Sequence, residues 1–151
     1  EVREDALVFT GDLLNADIEV TGPIALTLYA ASSASDTDFT AKLADVRPGS
    51  YAQNIAEGVI RARFRESLSN PTATTPGKEY GYMIDLWATS YAFKASHRLR
   101  LDVSSSNIPR YERNPDTEHD FGVNSELRSA QQTIFHNSGH PSDRTLPVNL
   151  S

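Results

Sequence analysis

Serine, histidine and aspartate side chains could together hydrolyse an ester or an amide, and all three residue types occur in the chain. Such a hydrolase needs a serine nucleophile held on a sharp turn, a histidine base and an acid that orients the histidine. The usual nucleophile motif, G-x-S-x-G, does not occur in the sequence. We therefore expect no complete triad in this chain, and no residue is predicted to be catalytic.

Histidine and carboxylate side chains could bind a metal ion where their spacing brings them together. His136 and His140 are four residues apart, but Gly139 and Pro141 break the helix that would place them on one face. A run of calcium-type ligands alternates along the chain at Asn114, Asp116, Glu118 and Asp120. Its sixth position is His119, where a calcium loop needs glycine. We therefore predict no metal site and no cofactor.

Two further sets of side chains could bind a ligand. A row of arginines on one strand face could hold a carboxylate or a phosphate: Arg61, Arg63 and Arg65. A group of aromatic side chains could stack on a sugar: Tyr80, Tyr82, Trp87, Tyr91 and Phe93. We favour a solvated sheet face paired with acids such as Asp85 for the arginines, and a core or interface position for the aromatics. An anion site and a sugar site stay open as alternatives.

Two loops carry dense polar chemistry. In SASDTDF, residues 33–39, Asp36 and Asp38 flank Thr37, and these side chains commonly fix turns by bonding local backbone N–H groups. In SSSNIPRYERNP, residues 104–115, Pro109 and Pro115 must end a strand, because proline cannot donate to the sheet ladder. For SASDTDF we favour a turn-fixing role, with contact to a partner or pocket as the alternative. For SSSNIPRYERNP we expect the polar residues both to brace the exit of the strand and to grip a neighbouring surface.

The composition excludes several classes of function. The chain has 151 residues with 14 Lys+Arg and 20 Asp+Glu, a net charge of −6. This balance argues against nonspecific nucleic-acid binding and against an anionic membrane surface as a partner. No apolar run approaches the ~20 residues that span a bilayer.

The absence of cysteine excludes disulfides and thiolate metal sites. It is compatible with a reducing compartment, so we expect a cytoplasmic location, with secretion left open. The first residues, EVREDALVF, are charged, lack an initiator methionine and show no signal peptide. We therefore expect the chain to be part of a longer protein.

The elements that position these side chains are predicted to be strands. Apolar and polar residues alternate with period two in PIALTLYAAS, DFTAKLADV, GVIRARFRE, KEYGYMIDLWA and HRLRLDVSS. Weaker strands are expected at 6–10, 17–20, 52–57, 90–94, 131–136 and 144–148, with turns at 21–23, 47–50, 70–71 and 75–77. This pattern predicts one all-β domain over residues 1–151, an antiparallel sandwich or jelly roll. The longest irregular segment, about 107–128, is expected to be functional or partner-facing.

Three long strings of the sequence resemble, in order, the C-terminal domain of the Xaa-Pro dipeptidyl-peptidase and cocaine-esterase group. They are EVTGPIALTLYAASSASDTDFTAKLADVRPGSYAQNIAEGVIRARFRESL, PGKEYGYMIDLWATSYAFKASHRLRLDVSSSNIPRYERNP and QQTIFHNSGHPSDRTLPV. The group also includes cephalosporin and glutaryl acylases and α-amino-acid ester hydrolases. The resemblance covers about residues 3–148.

The resemblance implies a jelly-roll β-sandwich, similar to galactose-binding modules, that carries no catalytic residue. In the group this domain packs on an α/β-hydrolase domain of the same polypeptide and helps to wall its active site. The matching loops give the partner- or pocket-facing candidates Asp36, Asp38, Phe39, Asn107, Arg110, Tyr111, Arg113 and Asn114. Ile108 stands where the group often has Phe, and residues 117–124 are less typical of it.

We therefore expect an accessory domain of a bacterial serine hydrolase. The alternatives are a carbohydrate-binding module and an oligomerisation module. A face that normally packs on a catalytic domain should leave apolar surface exposed in the isolated chain, which predicts self-association into a homo-oligomer.

Overall fold

The computed structural model describes residues 6–49, 51–105, 132–137, 140–141, 143–145 and 148–149. In this part of the chain the regular elements are strands and one 3-10 turn, Ala62–Phe64. The strands are β1 (Ala6–Thr10), β2 (Ile18–Ser32), β3 (Asp38–Val46), β4 (Ala52–Arg61), β5 (Glu79–Phe93), β6 (Arg98–Ser104), β7 (Gln132–Ile134), β8 (His136–Asn137), β9 (His140–Pro141), β10 (Asp143–Thr145) and β11 (Val148–Asn149). None of the described residues belongs to a helix that could cross a membrane.

Two antiparallel sheets form a sandwich, as the period-two patterns predict. The first sheet has the order β1-β6-β3-β4. The second is built on the long strand β2, which pairs with β5 along one edge and with the short strands β7, β10 and β11 along the other. The all-β sandwich is therefore confirmed. Its likeness to galactose-binding modules stays a prediction.

The core lies between the two sheets. Its members alternate along each strand, because successive side chains of a strand point to opposite faces. On β5 the buried residues are Tyr82, Ile84 and Leu86, and on β6 they are Leu99, Leu101 and Val103. On β2 and β3 the core contains Ile24, Leu26, Leu28, Phe39, Ala41 and Leu43. The alternation of buried and more exposed residues predicted from the sequence is confirmed on β2, β5 and β6, whereas on β3 residues of both faces are buried.

One predicted turn is absent, because the chain bends there without leaving the sheet. Thr21, Gly22 and Pro23 were expected to separate two strands, but β2 runs through them and pairs continuously with β5. The ladder shifts register between Pro23 and Ala25, which marks a β-bulge. Glycine and proline inside a strand commonly mark a bulge. Gly22 and Pro23 therefore mark an irregularity in the strand, but it is a bulge and not the predicted turn.

Tyr82 connects the core to the pH dependence of stability. Its ring packs on Phe39 with centroids 4.9 Å apart. Burial raises the pKa of its phenol from 10.0 to about 12, because the phenolate would lose its hydration. A raised pKa leaves the folded state fully stabilised below about pH 10 and destabilises it progressively as the pH approaches 12.

We therefore expect Tyr82→Phe to flatten the alkaline loss of stability. Above pH 10 this single group should remove up to about 1.4 kcal/mol of unfolding free energy per pH unit from the unsubstituted protein. Urea unfolding at pH 8 to 11 measures the difference, with Tyr51→Phe as a control at a tyrosine that is 62% exposed. Identical pH profiles for the Tyr82→Phe variant and the unsubstituted protein would show that the phenol ionises freely in the fold.

Candidate functional site

Two buried aspartates at the start of β3 are held by arginines from the far end of β4. Asp36 is 1% exposed, and its Oδ2 accepts a hydrogen bond from Arg63 Nε at 2.6 Å. Its Oδ1 accepts the backbone N–H of the same arginine at 3.0 Å. Asp38 accepts two parallel bonds from Arg61, from Nε at 2.9 Å and from Nη2 at 3.1 Å. Such forked pairs are among the stronger charge-assisted contacts in proteins.

The loop between these aspartates is fixed by a second set of bonds. The carbonyl of Thr37 accepts the backbone N–H of Ala62, and its hydroxyl oxygen accepts Nε2 of Gln132 at 2.9 Å. Thr74 donates its backbone N–H to the carbonyl of Ser35 at 2.8 Å. The SASDTDF segment is thus tied to three separate parts of the chain by contacts with residues distant in sequence, whereas the turn interpretation expects local backbone bonds.

The predicted arginine row does not lie on one strand face. Strand β4 ends at Arg61, and the next residues form the 3-10 turn. Arg65 extends its guanidinium over the ring of Tyr80 at 4.2 Å and donates to the carbonyl of Thr72. The expected cross-strand partner, Asp85, instead accepts the backbone N–H of Trp87. The row was wrong because the turn rotates successive arginines away from a common face.

A third buried aspartate, at the other end of β3, joins both sheets. Asp45 is fully buried. Its Oδ2 accepts the hydroxyl of Tyr91 from β5 at 2.6 Å, and its Oδ1 lies 2.9 Å from Nδ1 of His97. Burial and then the bond to this carboxylate raise the pKa of the Tyr91 phenol. Sequence reasoning missed this cluster, since its members are far apart in the chain and meet only through the sheet topology.

The Asp45–His97 pair resembles the aspartate–histidine pair of a hydrolase triad. A triad also requires a serine hydroxyl bonded to the histidine. In residues 6–49 and 51–105 the only side-chain hydrogen-bond partner of His97 is Asp45, and no serine hydroxyl reaches its ring. The carboxylate is also shared with Tyr91. Among these residues the pair therefore has no triad nucleophile. Through Asp45 of β3 and Tyr91 of β5 the cluster joins the two sheets by polar contacts.

Most of the aromatic set does not form a platform. Tyr82 and Phe93 are buried, and Phe93 packs edge-on against Tyr91 with centroids 4.9 Å apart. Trp87 is the exception, because 67% of it is exposed. Its φ of 66° lies in the left-handed region, which costs a bulky residue roughly 1–3 kcal/mol.

A polar groove of about 350 Å³ lies on the outer face of the first sheet. Its lining includes Lys42, Arg100, Asp102 and Tyr51. Arg100 bonds Asp102 through Nη2 at 2.9 Å. The Nε of Arg100 and the Oδ1 of Asp102 are buried without a partner among the described residues. This groove can accept a polar group.

The remaining candidates divide by location. Phe39 is 1% exposed and belongs to the core, where it contacts Tyr82. The candidates of the 104–115 loop lie outside the described residues, and their partner- or pocket-facing role stays a prediction: Asn107, Arg110, Tyr111, Arg113 and Asn114. The calcium-type run at 114–120 also lies outside them. Among the described residues no three His, Asp or Glu side chains come close enough to hold a metal ion.

Comparison with known proteins identifies the family. The profile of the X-Pro dipeptidyl-peptidase C-terminal non-catalytic domain matches residues 1–143. The chain belongs to this family. The structural partners of the buried acids agree with the non-catalytic description of this family.

Longer hydrolases contain the domain as one part. The cocaine esterase of Rhodococcus sp. (strain MB1 Bresler) is 41% identical over 148 residues, which are 97% of this chain and 26% of that enzyme. An α-amino acid ester hydrolase structure superposes with a TM-score of 0.91 at 30% identity, over 97% of this chain and 26% of its own. The structure of an aminopeptidase from a marine sediment Thaumarchaeota archaeon superposes with a TM-score of 0.92 at 29% identity, over 98% of this chain and 26% of its own. The X-Pro dipeptidyl-peptidase C-terminal domain thus spans about a quarter of each of these proteins.

Proposed function

We propose that this chain is the accessory domain of a serine hydrolase that acts on esters or amides. In this proposal it packs on an α/β-hydrolase domain of the same polypeptide and helps to wall that domain's active site. The observation that carries the proposal is the state of its buried acids. Asp36, Asp38 and Asp45 are each held by fixed side-chain partners, so their charge serves the fold and is not available to a substrate.

The comparisons support the same assignment. The relatives include an esterase, an ester hydrolase and an aminopeptidase, and each is about four times as long as the matched segment. Ester and amide hydrolysis both proceed through an acyl-enzyme when a serine is the nucleophile. The catalytic domain would form and hydrolyse that intermediate, and this domain would supply a rigid support with a fixed loop at residues 33–39.

The proposal is tested by labelling the intact polypeptide with a fluorophosphonate, which reacts covalently with activated serines. We expect one labelled serine, located by peptide mass spectrometry outside residues 1–151, together with hydrolysis of p-nitrophenyl acetate. Replacing the labelled serine with alanine should abolish both signals. A label on a serine within residues 1–151, or hydrolysis that survives this replacement, would contradict the proposal.

A carbohydrate-binding role is the competing assignment, and the structure gives it little support. A sugar platform needs several exposed rings side by side, whereas Tyr82 and Phe93 are buried in the core. Isothermal calorimetry against mono- and oligosaccharides distinguishes the two assignments, because the accessory-domain proposal expects no binding heat.

A further inference from the structure

The exposed tryptophan on β5 lies at a β-bulge in the second sheet. Pro23 pairs with Ala88 and Ala25 pairs with Asp85, so one residue of β2 faces Leu86 and Trp87 together. Trp87 takes a left-handed backbone conformation, with φ 66°. The Oδ1 of Asp85 accepts its backbone N–H at 2.8 Å and so braces that conformation. Bulges re-aim side chains, and here the re-aimed side chain is a largely exposed indole.

A second bulge, on the other sheet, faces the first. In the β3–β4 ladder Leu43 pairs with Ala56 and Ala44 with Asn54, which leaves Ile55 as the extra residue. Residues 54–57 of β4 and 86–88 of β5 line one groove of about 390 Å³. The two strands are held close together beside it, since Gly58 lies against the carbonyl of Asp85. Two independent irregularities therefore shape a single surface feature.

The groove combines one large exposed aromatic ring with polar surroundings, as protein contacts with an apolar centre and a polar rim do. Trp87 and Ile55 contribute apolar side chains, and most of the exposed lining is polar, with Asn54 and Glu57 among its members. Tryptophan is enriched among the side chains that dominate binding energy at protein interfaces. An indole that is exposed to solvent on a strained backbone contributes little to the stability of this domain. Burial of the indole against another protein surface would provide that stabilisation.

We propose that this two-bulge groove is the surface through which the domain docks on the hydrolase part of the same polypeptide, with Trp87 as the apolar anchor. The inference rests on the proposed function. It commits to this occupant because the domain spans only 26% of its relatives, so most of each such polypeptide is available to cover the groove. The complementary surface would offer an apolar pocket for the indole and a hydrogen-bond acceptor for its N–H, with polar groups around them.

Oxidative footprinting of the intact polypeptide tests the contact directly. Trp87 is the single tryptophan and Met83 the single methionine of the 151 residues, and both lie between Lys78 and Lys94, so fragmentation of that tryptic peptide by tandem mass spectrometry locates the oxidised residue. We expect Trp87 in the native polypeptide to be oxidised at least ~10-fold more slowly than in the same polypeptide unfolded in urea. Leu68, which is 88% exposed, is the control and should show little protection. Oxidation of Trp87 within about twofold of the unfolded reference would overturn the proposal.

Dilution identifies the occupant. Protection within one polypeptide is independent of protein concentration, whereas protection by a second copy is lost as the protein is diluted. Concentration-independent protection supports the proposal, and its loss on dilution overturns it in favour of self-association.

A substitution then separates docking from folding. Trp87→Gly removes the indole, and glycine suits the left-handed backbone, so the domain keeps its own fold. We expect the variant to unfold in two calorimetric transitions where the unsubstituted polypeptide unfolds in one, with Leu68→Ala as the control. A single unchanged transition would overturn the proposal.

The two proposals fail differently. If no fluorophosphonate-reactive serine lies outside residues 1–151, the hydrolase assignment fails and this one fails with it. If such a serine is present and Trp87 is oxidised freely, only the docking surface is wrong.

Discussion

Replacing Arg63 with alanine is expected to destabilise the protein by about 3–5 kcal/mol, because it leaves a buried carboxylate without its cation. Asp36 is 1% exposed, and the side chain of Arg63 is 12% exposed, so solvent cannot replace the lost partner. The backbone N–H of residue 63 would still reach Asp36 Oδ1, but a neutral donor does not compensate a buried charge as the guanidinium does. The loop at residues 33–37 should loosen together with the 3-10 turn.

Urea unfolding followed by circular dichroism measures this loss. Arg63→Lys keeps the charge but lacks the forked donor, so an intermediate loss is expected. Lys94→Ala is the matched control, because it breaks an ion pair that is more than half exposed on both sides and should leave the unfolding midpoint nearly unchanged. Equal effects for Arg63→Ala and Lys94→Ala would show that the Asp36 contact does not stabilise the fold.

The alternation of apolar and polar residues was sufficient to predict the strands, but it did not predict where the strands end. Tyr82, Ile84 and Leu86 were placed correctly because half-burial of a strand imposes strict alternation. The turn expected at Gly22 and Pro23 was wrong for a local reason. Glycine and proline weaken a ladder without necessarily ending it, and the bulge at this point lets both long strands continue. A local sequence cannot distinguish the two outcomes, since the partner strand decides between them.

The candidate site was less predictable than the fold, because its contacts are non-local. The sequence drew attention to Asp36 and to Arg63, but it placed the first in a turn and the second on a solvated sheet face. Only the pairing of β3 with β4 brings these two residues together. Asp45 and His97 meet in the same way through the pairing of β3 with β6. Spacing along the chain carries no information about such pairs.

Gly58→Ala is expected to be the second large defect, at about 3 kcal/mol or more, because the added methyl group has no space. A Cβ at this position would overlap the carbonyl oxygen of Asp85 and would lie 2.9 Å from its carbonyl carbon and 3.2 Å from Ile84 Cγ2. The obstructing atoms are backbone, so no rotamer change can relieve the clash. Strands β4 and β5 must separate, and the groove beside Trp87 must widen with them.

Thermal unfolding measures the loss of stability, and hydrogen exchange measures the separation of β4 from β5. The melting temperature should fall, and exchange should accelerate in residues 54–58 and 84–88 before it does so in β6. Gly11→Ala is the matched control, since its Cβ would meet only the Leu99 carbonyl oxygen at 3.5 Å, an ordinary contact. If Gly58→Ala melted like the control, the close approach of the two sheets would not be required. The groove would then lose its structural basis as a docking surface, because its shape depends on that approach.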